Sequence, residues 1–192
     1  MIAEEFELPI FVKPANLGSS IGISKVDDPG KTEEAVESAL EFDWKVIVEQ
    51  GVSGRELECS VLGNEDPRVS LPGEVLPSRE FYDYRDKYIE GKTQFKIPAL
   101  LSPEISSSIQ DLALAAYKAL DCSGMARVDF FLENETDKIF LSEINTIPGF
   151  TEISMYPKLW EASGIPFPEL LATLIELGFS RHRQKKRKRD RF

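Results

Sequence analysis

Residues 126–151 read ARVDFFLENETDKIFLSEINTIPGFT, and their pattern decides the fold. Two runs rich in strand-forming residues, 125–133 and 139–146, flank a polar turn from Asn134 to Lys138, the pattern of a β-hairpin. Side chains alternate along a strand, so Arg127 and Asp129 share a face, as do Glu143 and Asn145. If Glu133 opposes Ile139 across a five-residue loop, Asp129 falls opposite Glu143 and Arg127 opposite Asn145. Ile144 and Phe140 then fill the other face. A slip of one residue would send the two carboxylates to opposite faces, and the sequence does not choose between these registers. In the first register two carboxylates, an amide oxygen and a guanidinium converge. Like charges facing each other in a sheet repel, so the group calls for a positive partner. Hard oxygen donors of this kind suit Mg²⁺, usually beside nucleotide phosphates. A solvated acidic face with Arg127 pairing Asp129 is the alternative. After Asn145 the chain turns through Pro148 and Gly149, where backbone amides can approach a ligand closely.

Working outward, Pro9–Pro14 reads as a strand carrying an out-of-pattern Lys13, either an edge-strand gatekeeper or a phosphate cation. The small-residue turn that follows, with Gly18, Ser19 and Gly22, suits closure of backbone N–H groups over an anion. Ile21–Val26 reads as the returning strand. Asp27 or Asp28 caps a helix after Pro29, with Ala35, Val36, Ala39 and Leu40 facing inward. Lys45–Gln50 reads as a buried strand ending at Glu49, Arg55–Gly63 as another, and Val69–Leu76 as one or two more. Ser78–Thr93 is charged, aromatic and unperiodic, which suits a functional flap; Lys87 and Tyr88 within it read either as residues of an ordinary polar loop or, for Lys87, as a cation that can follow a transferring phosphoryl group. Pro103–Leu120 is an amphipathic helix with Ile105, Ile109, Leu112, Ala116 and Leu120 inward. Residues 155–163 and 166–178 form the last helices. Strands in the middle with flanking helices give an α+β class.

Composition narrows the function classes. No apolar run approaches a membrane span, and residues 1–20 show no secretory pattern, so a cytoplasmic setting without membrane partners is expected. Cys59 and Cys122 have no CxxC spacing and no histidine nearby, so both read as small core residues. His182 is the only histidine and lies in the tail, which argues against histidine chemistry in the folded body. The net charge is −10, yet residues 181–191 (RHRQKKRKRDR) carry a local +7 and leave −17 for the rest. Such a block is expected to be disordered. Residues 1–8 hold no glycine-rich nucleotide loop and no complete helix, so the chain is expected to begin inside a domain.

Five stretches, FVKPANLGSSIGISKV, VIVEQGVSGRELECSVLG, EFYDYRDKYIEGKTQF, GMARVDFFL and LSEINTIPGFTEISMYP, together resemble the D-alanine–D-alanine ligase family of the ATP-grasp superfamily. They follow the family's order and cover nearly everything except the tail. The resemblance implies the C-terminal part of an ATP-grasp fold, an antiparallel sheet flanked by helices plus part of the central lid domain. Residues 1–50 would belong to the lid subdomain, 51–180 to the C-terminal catalytic domain and 181–192 to a disordered basic tail. It implies ATP-dependent joining of two D-alanines through an acyl phosphate, for peptidoglycan precursor and cell wall synthesis. Lys13 and Lys87 would bind phosphate, with Glu49, Gln50 and Val52 at the adenine and Glu56 at the ribose. Asp129, Glu143 and Asn145 would ligate two Mg²⁺ ions, with Mn²⁺ as a substitute. Arg127 and the Gly149 amide would stabilise the oxyanion. Ser154 would hold the second D-alanine, and Ser19 and Tyr88 the network at the first. An N-terminal half would be a separate requirement, so little turnover is expected of this chain alone; the intact enzyme would be a candidate homodimer. The competing readings are an ATP-grasp ligase of another acid and amine, and a non-catalytic fragment whose basic tail contacts nucleic acid.

Overall fold

A computed structural model describes residues 5–18, 20–76, 94–151 and 153–189. The chain divides into two compact units, the first running to Ser53 and the second holding Gly54–Leu76 and the residues from Phe95 onward.

In the first unit, strands β1 (Ile10–Pro14), β2 (Ser24–Val26) and β3 (Val46–Gln50) form an antiparallel sheet in the order β2-β1-β3. Alternation puts Ile10 and Val12 of β1 into the core, where Val26 and helix α1 (Thr32–Leu40) meet them. A 3-10 turn at Pro29–Lys31 precedes α1, and the Asp28 side chain caps it by accepting from the Gly30 amide at 3.0 Å. Ala35 and Ala39 are the buried residues of α1, whereas Leu40 is 48% exposed. The contact is made by the small pair one turn apart, with Val36 beside it, and Leu40 rotates past the edge. Strand β2 starts later than the pattern predicts because Ser20 and Gly22 turn the chain with φ of 58° and 71°. Gly22 is required there twice over, since a Cβ would also lie 2.8 Å from Phe42 and Pro14. Strand β3 is half-buried rather than buried.

In the second unit a sheet runs β7-β6-β4-β8-β9, with β5 paired to the end of β4. Its strands are β4 (Gly54–Gly63), β5 (Arg68–Val69), β6 (Gly73–Leu76), β7 (Gln94–Lys96), β8 (Gly124–Glu133) and β9 (Ile139–Asn145). The central pair β4–β8 is antiparallel over ten residues of each strand. Ala126, Val128, Phe130 and Leu132 of β8 and Leu57, Cys59 and Val61 of β4 face helix α2 (Pro103–Ala119). Ser102 caps α2, and Ile109, Ala113 and Tyr117 are its buried stripe. Leu112 and Leu120 stay 43% and 61% exposed, against the sequence expectation. The stripe turns toward Tyr117 because its hydroxyl donates to the Gly63 carbonyl at 2.7 Å, satisfying a polar atom that burial would otherwise strand.

Helices α3 (Met155–Ala162) and α4 (Phe167–Arg189) pack around Leu62, Tyr156, Trp160, Ile165 and Leu170. Ser60 donates to the Tyr156 carbonyl and the Tyr156 hydroxyl to Val61 O, which ties α3 to β4. The helix continues through Arg189, so the basic block at 181–189 is helical where its charge predicts disorder. Among the described residues no helix is long and apolar enough to cross a membrane.

Candidate functional site

Three strands set the polar face of the second unit. Along β8 the even residues enter the core, which leaves Arg127 and Asp129 on the opposite face. The β4–β8 register sets Glu58 opposite Asp129 and Ser60 opposite Arg127. The β8–β9 register sets Glu143 opposite Asp129 and Asn145 opposite Arg127. The result is a grid. One row reads Glu58, Asp129, Glu143 across the three strands, and the next reads Ser60, Arg127, Asn145.

The hairpin register is the predicted one at the site but not at its turn. Leu132, not Glu133, opposes Ile139, and an irregularity between Asp129 and Phe130 takes up one extra residue, Ser142, on β9. The bulge switches parity along β9. Phe140 therefore faces Phe131 instead of joining Ile144, and Ile139 packs on the core in its place. Without the bulge Glu143 would fall on the wrong face.

The acidic row is bound together by one guanidinium and one neutral amide. Arg127 Nε donates to Asp129 Oδ1 at 2.7 Å and Nη2 to Oδ2 at 2.6 Å, a two-point fork. The same Nε lies 3.1 Å from Glu58 Oε2. The Asn145 amide nitrogen bridges Asp129 at 3.1 Å and Glu143 at 2.9 Å. Burial works against the charge on Arg127, but Asp129 and Glu58 outweigh it and raise its pKa, so it stays protonated. Burial pushes the Asp129 carboxyl up, Arg127 pulls it back, and Glu143 adds to the rise.

The donor set fits a hard divalent cation. Asp129, Glu143 and Asn145 supply two carboxylates and an amide oxygen, and a half-turn of the Asn145 amide exchanges its nitrogen for that oxygen. Among the described residues no three His, Cys, Asp or Glu side chains converge as a metal-holding group, so the amide is needed to complete the set.

Downstream, Thr151 N donates to Ser154 Oγ at 3.0 Å and the two hydroxyl oxygens lie 2.8 Å apart, which holds Thr151 and Ser154 together. A Cβ on Gly149 would stand 3.0 Å from Ser154 Oγ, so Gly149 and Ser154 are neighbours. The Gly149 backbone is exposed.

In the first unit, Lys13 pairs with Glu49 at 2.7 Å. Strand β1 is central, so Lys13 is no edge-strand gatekeeper. The Gln50 side chain is spent on the chain itself, donating to Glu7 O at 2.7 Å and accepting from Glu7 N at 2.9 Å. Val52 is half-buried in the segment after β3. Glu56, in the second unit, sits half-buried in β4 opposite Phe131. Ser19, Lys87 and Tyr88 lie outside the described residues.

The family described as D-ala D-ala ligase C-terminus matches residues 1–176. The chain belongs to the D-alanine–D-alanine ligase family. It is 60% identical over 177 residues to the D-alanine–D-alanine ligase of Solibacter usitatus, covering 92% of this chain and 54% of that protein. It is 54% identical over 181 residues to that of Acetivibrio thermocellus, covering 94% and 48%. The D-alanine-D-alanine ligase structure from Coxiella burnetii superimposes with a TM-score of 0.83 at 43% identity, over 93% of this chain and 47% of that one. The VanG D-Ala:D-Ser ligase from Enterococcus faecalis gives 0.77 at 41% identity, over 88% and 49%. The fold is thus the C-terminal part of an ATP-grasp ligase, in the α+β class. The chain spans about half the length of the curated relatives it matches.

Proposed function

We propose that this chain is the catalytic C-terminal part of a cytoplasmic ligase that joins two D-alanines at the expense of ATP, for peptidoglycan precursor synthesis. The observation that carries the reading is the grid: two carboxylates and an amide from β8 and β9, with Arg127 beside them. A carboxylate is a poor acyl donor because oxide is a poor leaving group. Transfer of the ATP γ-phosphoryl group to the first D-alanine gives an acyl phosphate that the amine of the second attacks. Mg²⁺, when bound, supplies positive charge against the phosphate oxygens. Asp129, Glu143 and Asn145 hold it. Lys13 of the first unit binds nucleotide phosphate, Glu49 and the Gln50–Val52 backbone line the adenine, and Glu56 takes the ribose. The Gln50 side chain, committed to Glu7, holds that segment in place instead of reaching the base.

Arg127 and the Gly149 amide face the oxyanion that develops as the amine adds, and loss of one such donor typically costs about 10²–10³ in rate. Ser154, held by Thr151, receives the carboxylate of the second D-alanine. Ser19, Lys87 and Tyr88 complete the donor side together with the N-terminal half of the enzyme.

Joined behind the N-terminal half of the Solibacter usitatus relative, the chain is expected to release ADP only when D-alanine is supplied. ADP release with other acids and amines but not with D-alanine would move the function to another carboxylate–amine ligation. D-serine belongs in the same screen, because the VanG relative is named for it.

A further inference from the structure

Glu58 has no part in the roles just described, yet it is the most buried member of the acidic row, 7% exposed and directly opposite Asp129. Its carboxylate lies 3.1 Å from Arg127 Nε, the nitrogen that also donates to Asp129. One N–H is thus placed between two carboxylates on neighbouring strands.

That placement matters once Asp129 serves a cation. In the structure the Arg127 fork engages both Asp129 oxygens. A divalent cation on Asp129 competes for those oxygens and repels the guanidinium. Arg127 released into a partly buried site with no anion would be costly, since an uncompensated buried charge is strongly destabilising. Glu58 stands within reach of the Nε that must let go. Strand β4 is paired along its length with β8, so Glu58 cannot drift away. It is also the carboxylate of the row farthest from Asn145, on the strand that contributes no proposed metal ligand.

We propose that Glu58 is a positioning residue that takes over Arg127 when Asp129 turns to the metal. The Nε bond passes from Asp129 to Glu58, the charge stays balanced, and Nη2 is freed to meet the substrate oxyanion. This rests on the metal reading of Asp129, Glu143 and Asn145. It makes the metal-free fork a resting arrangement and assigns Arg127 two anions, one for each state.

The test is NMR of the full 192-residue chain with labelled arginine and asparagine side chains, in EDTA and in Mg²⁺. The Arg127 Nε–H signal is assigned through Arg127→Lys. The Asn145 amide, which donates to Asp129 and Glu143, reports the metal independently. In the parent, Mg²⁺ is expected to shift the Asn145 amide while the Arg127 Nε–H remains slow to exchange with water. In Glu58→Gln the same Mg²⁺ is expected to speed that exchange about tenfold or more, the equivalent of one lost charge-assisted hydrogen bond. In EDTA the two proteins should agree within about twofold, because the Asp129 fork still holds Arg127. If Glu58→Gln does not fold, Glu58→Asp, shorter by one methylene, should show the same Mg²⁺-specific acceleration to a smaller degree. An Asn145 amide that ignores Mg²⁺ in the parent would overturn the metal reading itself. A shifted Asn145 amide with Arg127 exchange unchanged in the variant, or already fast in the parent, would overturn the role of Glu58 alone.

Discussion

Replacing Arg127 with methionine keeps most of its apolar stem and removes its charge from between three carboxylates. Glu58 and Asp129, directly opposite on paired strands, then lose their common cation. Their side chains are 10% and 16% exposed, so water compensates little. Breaking a buried pair by removing one partner costs about 3–5 kcal/mol. The lower end applies, because Arg127 itself is 20% exposed and Asn145 still donates to Asp129 and Glu143. At about 2–4 °C per kcal/mol for a chain of this size, roughly 3 kcal/mol corresponds to a fall in Tm of about 6–12 °C. Thermal unfolding followed by circular dichroism in EDTA measures it. Repeating the melt in Mn²⁺ should close at least half of the gap, since the cation restores positive charge to the row and no longer competes with a guanidinium. A fall of less than about 2 °C in EDTA would mean that the carboxylates are solvated and that the grid stores no charge conflict. A full fall that Mn²⁺ leaves untouched would mean that the row does not take a divalent cation.

Other perturbations test the scaffold and the nucleotide side. Arg55 forks onto Glu74 at 2.8 Å through both nitrogens, and Glu74 is only 5% exposed, so Arg55→Met should cost about 2–3 kcal/mol by urea unfolding at pH 7. The Arg55 hydrogen bond holds the Glu74 carboxyl below its ordinary value of 4.5 against the opposing effect of burial. A carboxyl lowered in the folded state stabilises above its unfolded value and loses that contribution as pH falls through the folded one. The gap between parent and Arg55→Met should therefore be full at pH 7 and narrow below pH 4.5; a gap that stays constant would refute the assignment. Tyr117→Phe removes the buried bond to Gly63 O and should cost about 1–2 kcal/mol in the same assay, with no change in nucleotide binding. Lys13→Met, leaving Glu49 without its 2.7 Å partner, should weaken binding of an ATP analogue about tenfold by calorimetry.

How much of this could be read in the sequence differs from residue to residue. Arg127, Asp129, Glu143 and Asn145 were legible because alternation is local and the polar turn bounds the hairpin. The bulge at Ser142 was not, because nothing in residues 139–145 marks which position gives up its pairing. Two offsets of one residue, at the turn and at the bulge, cancel before the site. Glu58 was hidden for another reason. Its neighbours Asp129 and Arg127 come from a strand far along the chain, and the β4–β8 register that joins them has no sequence signal. An unbroken alternation of Glu56, Glu58 and Ser60 opposite buried Leu57, Cys59 and Val61 was the available hint. Helix stripes were legible to within one position: Ala35 and Ala39, Ile109 and Ala116 are packed, while Leu40, Leu112 and Leu120 are not. Small residues and a hydroxyl seeking a partner set those rotations, not hydrophobicity alone. The basic block was misread because its charge says disorder, while α4 arrives already formed and packed through Leu170, Leu174 and Leu177 and carries the helix onward.

The most direct measurement is a calorimetric titration of the folded chain with a non-hydrolysable ATP analogue, with and without Mg²⁺, beside Glu143→Gln. The account predicts binding that requires Mg²⁺ and that Glu143→Gln weakens by about tenfold or more, the loss of one metal-bound carboxylate. Binding of equal strength with or without Mg²⁺, and equal in the variant, on a chain whose circular dichroism shows it folded, would contradict the assignment of the grid as the metal and nucleotide centre.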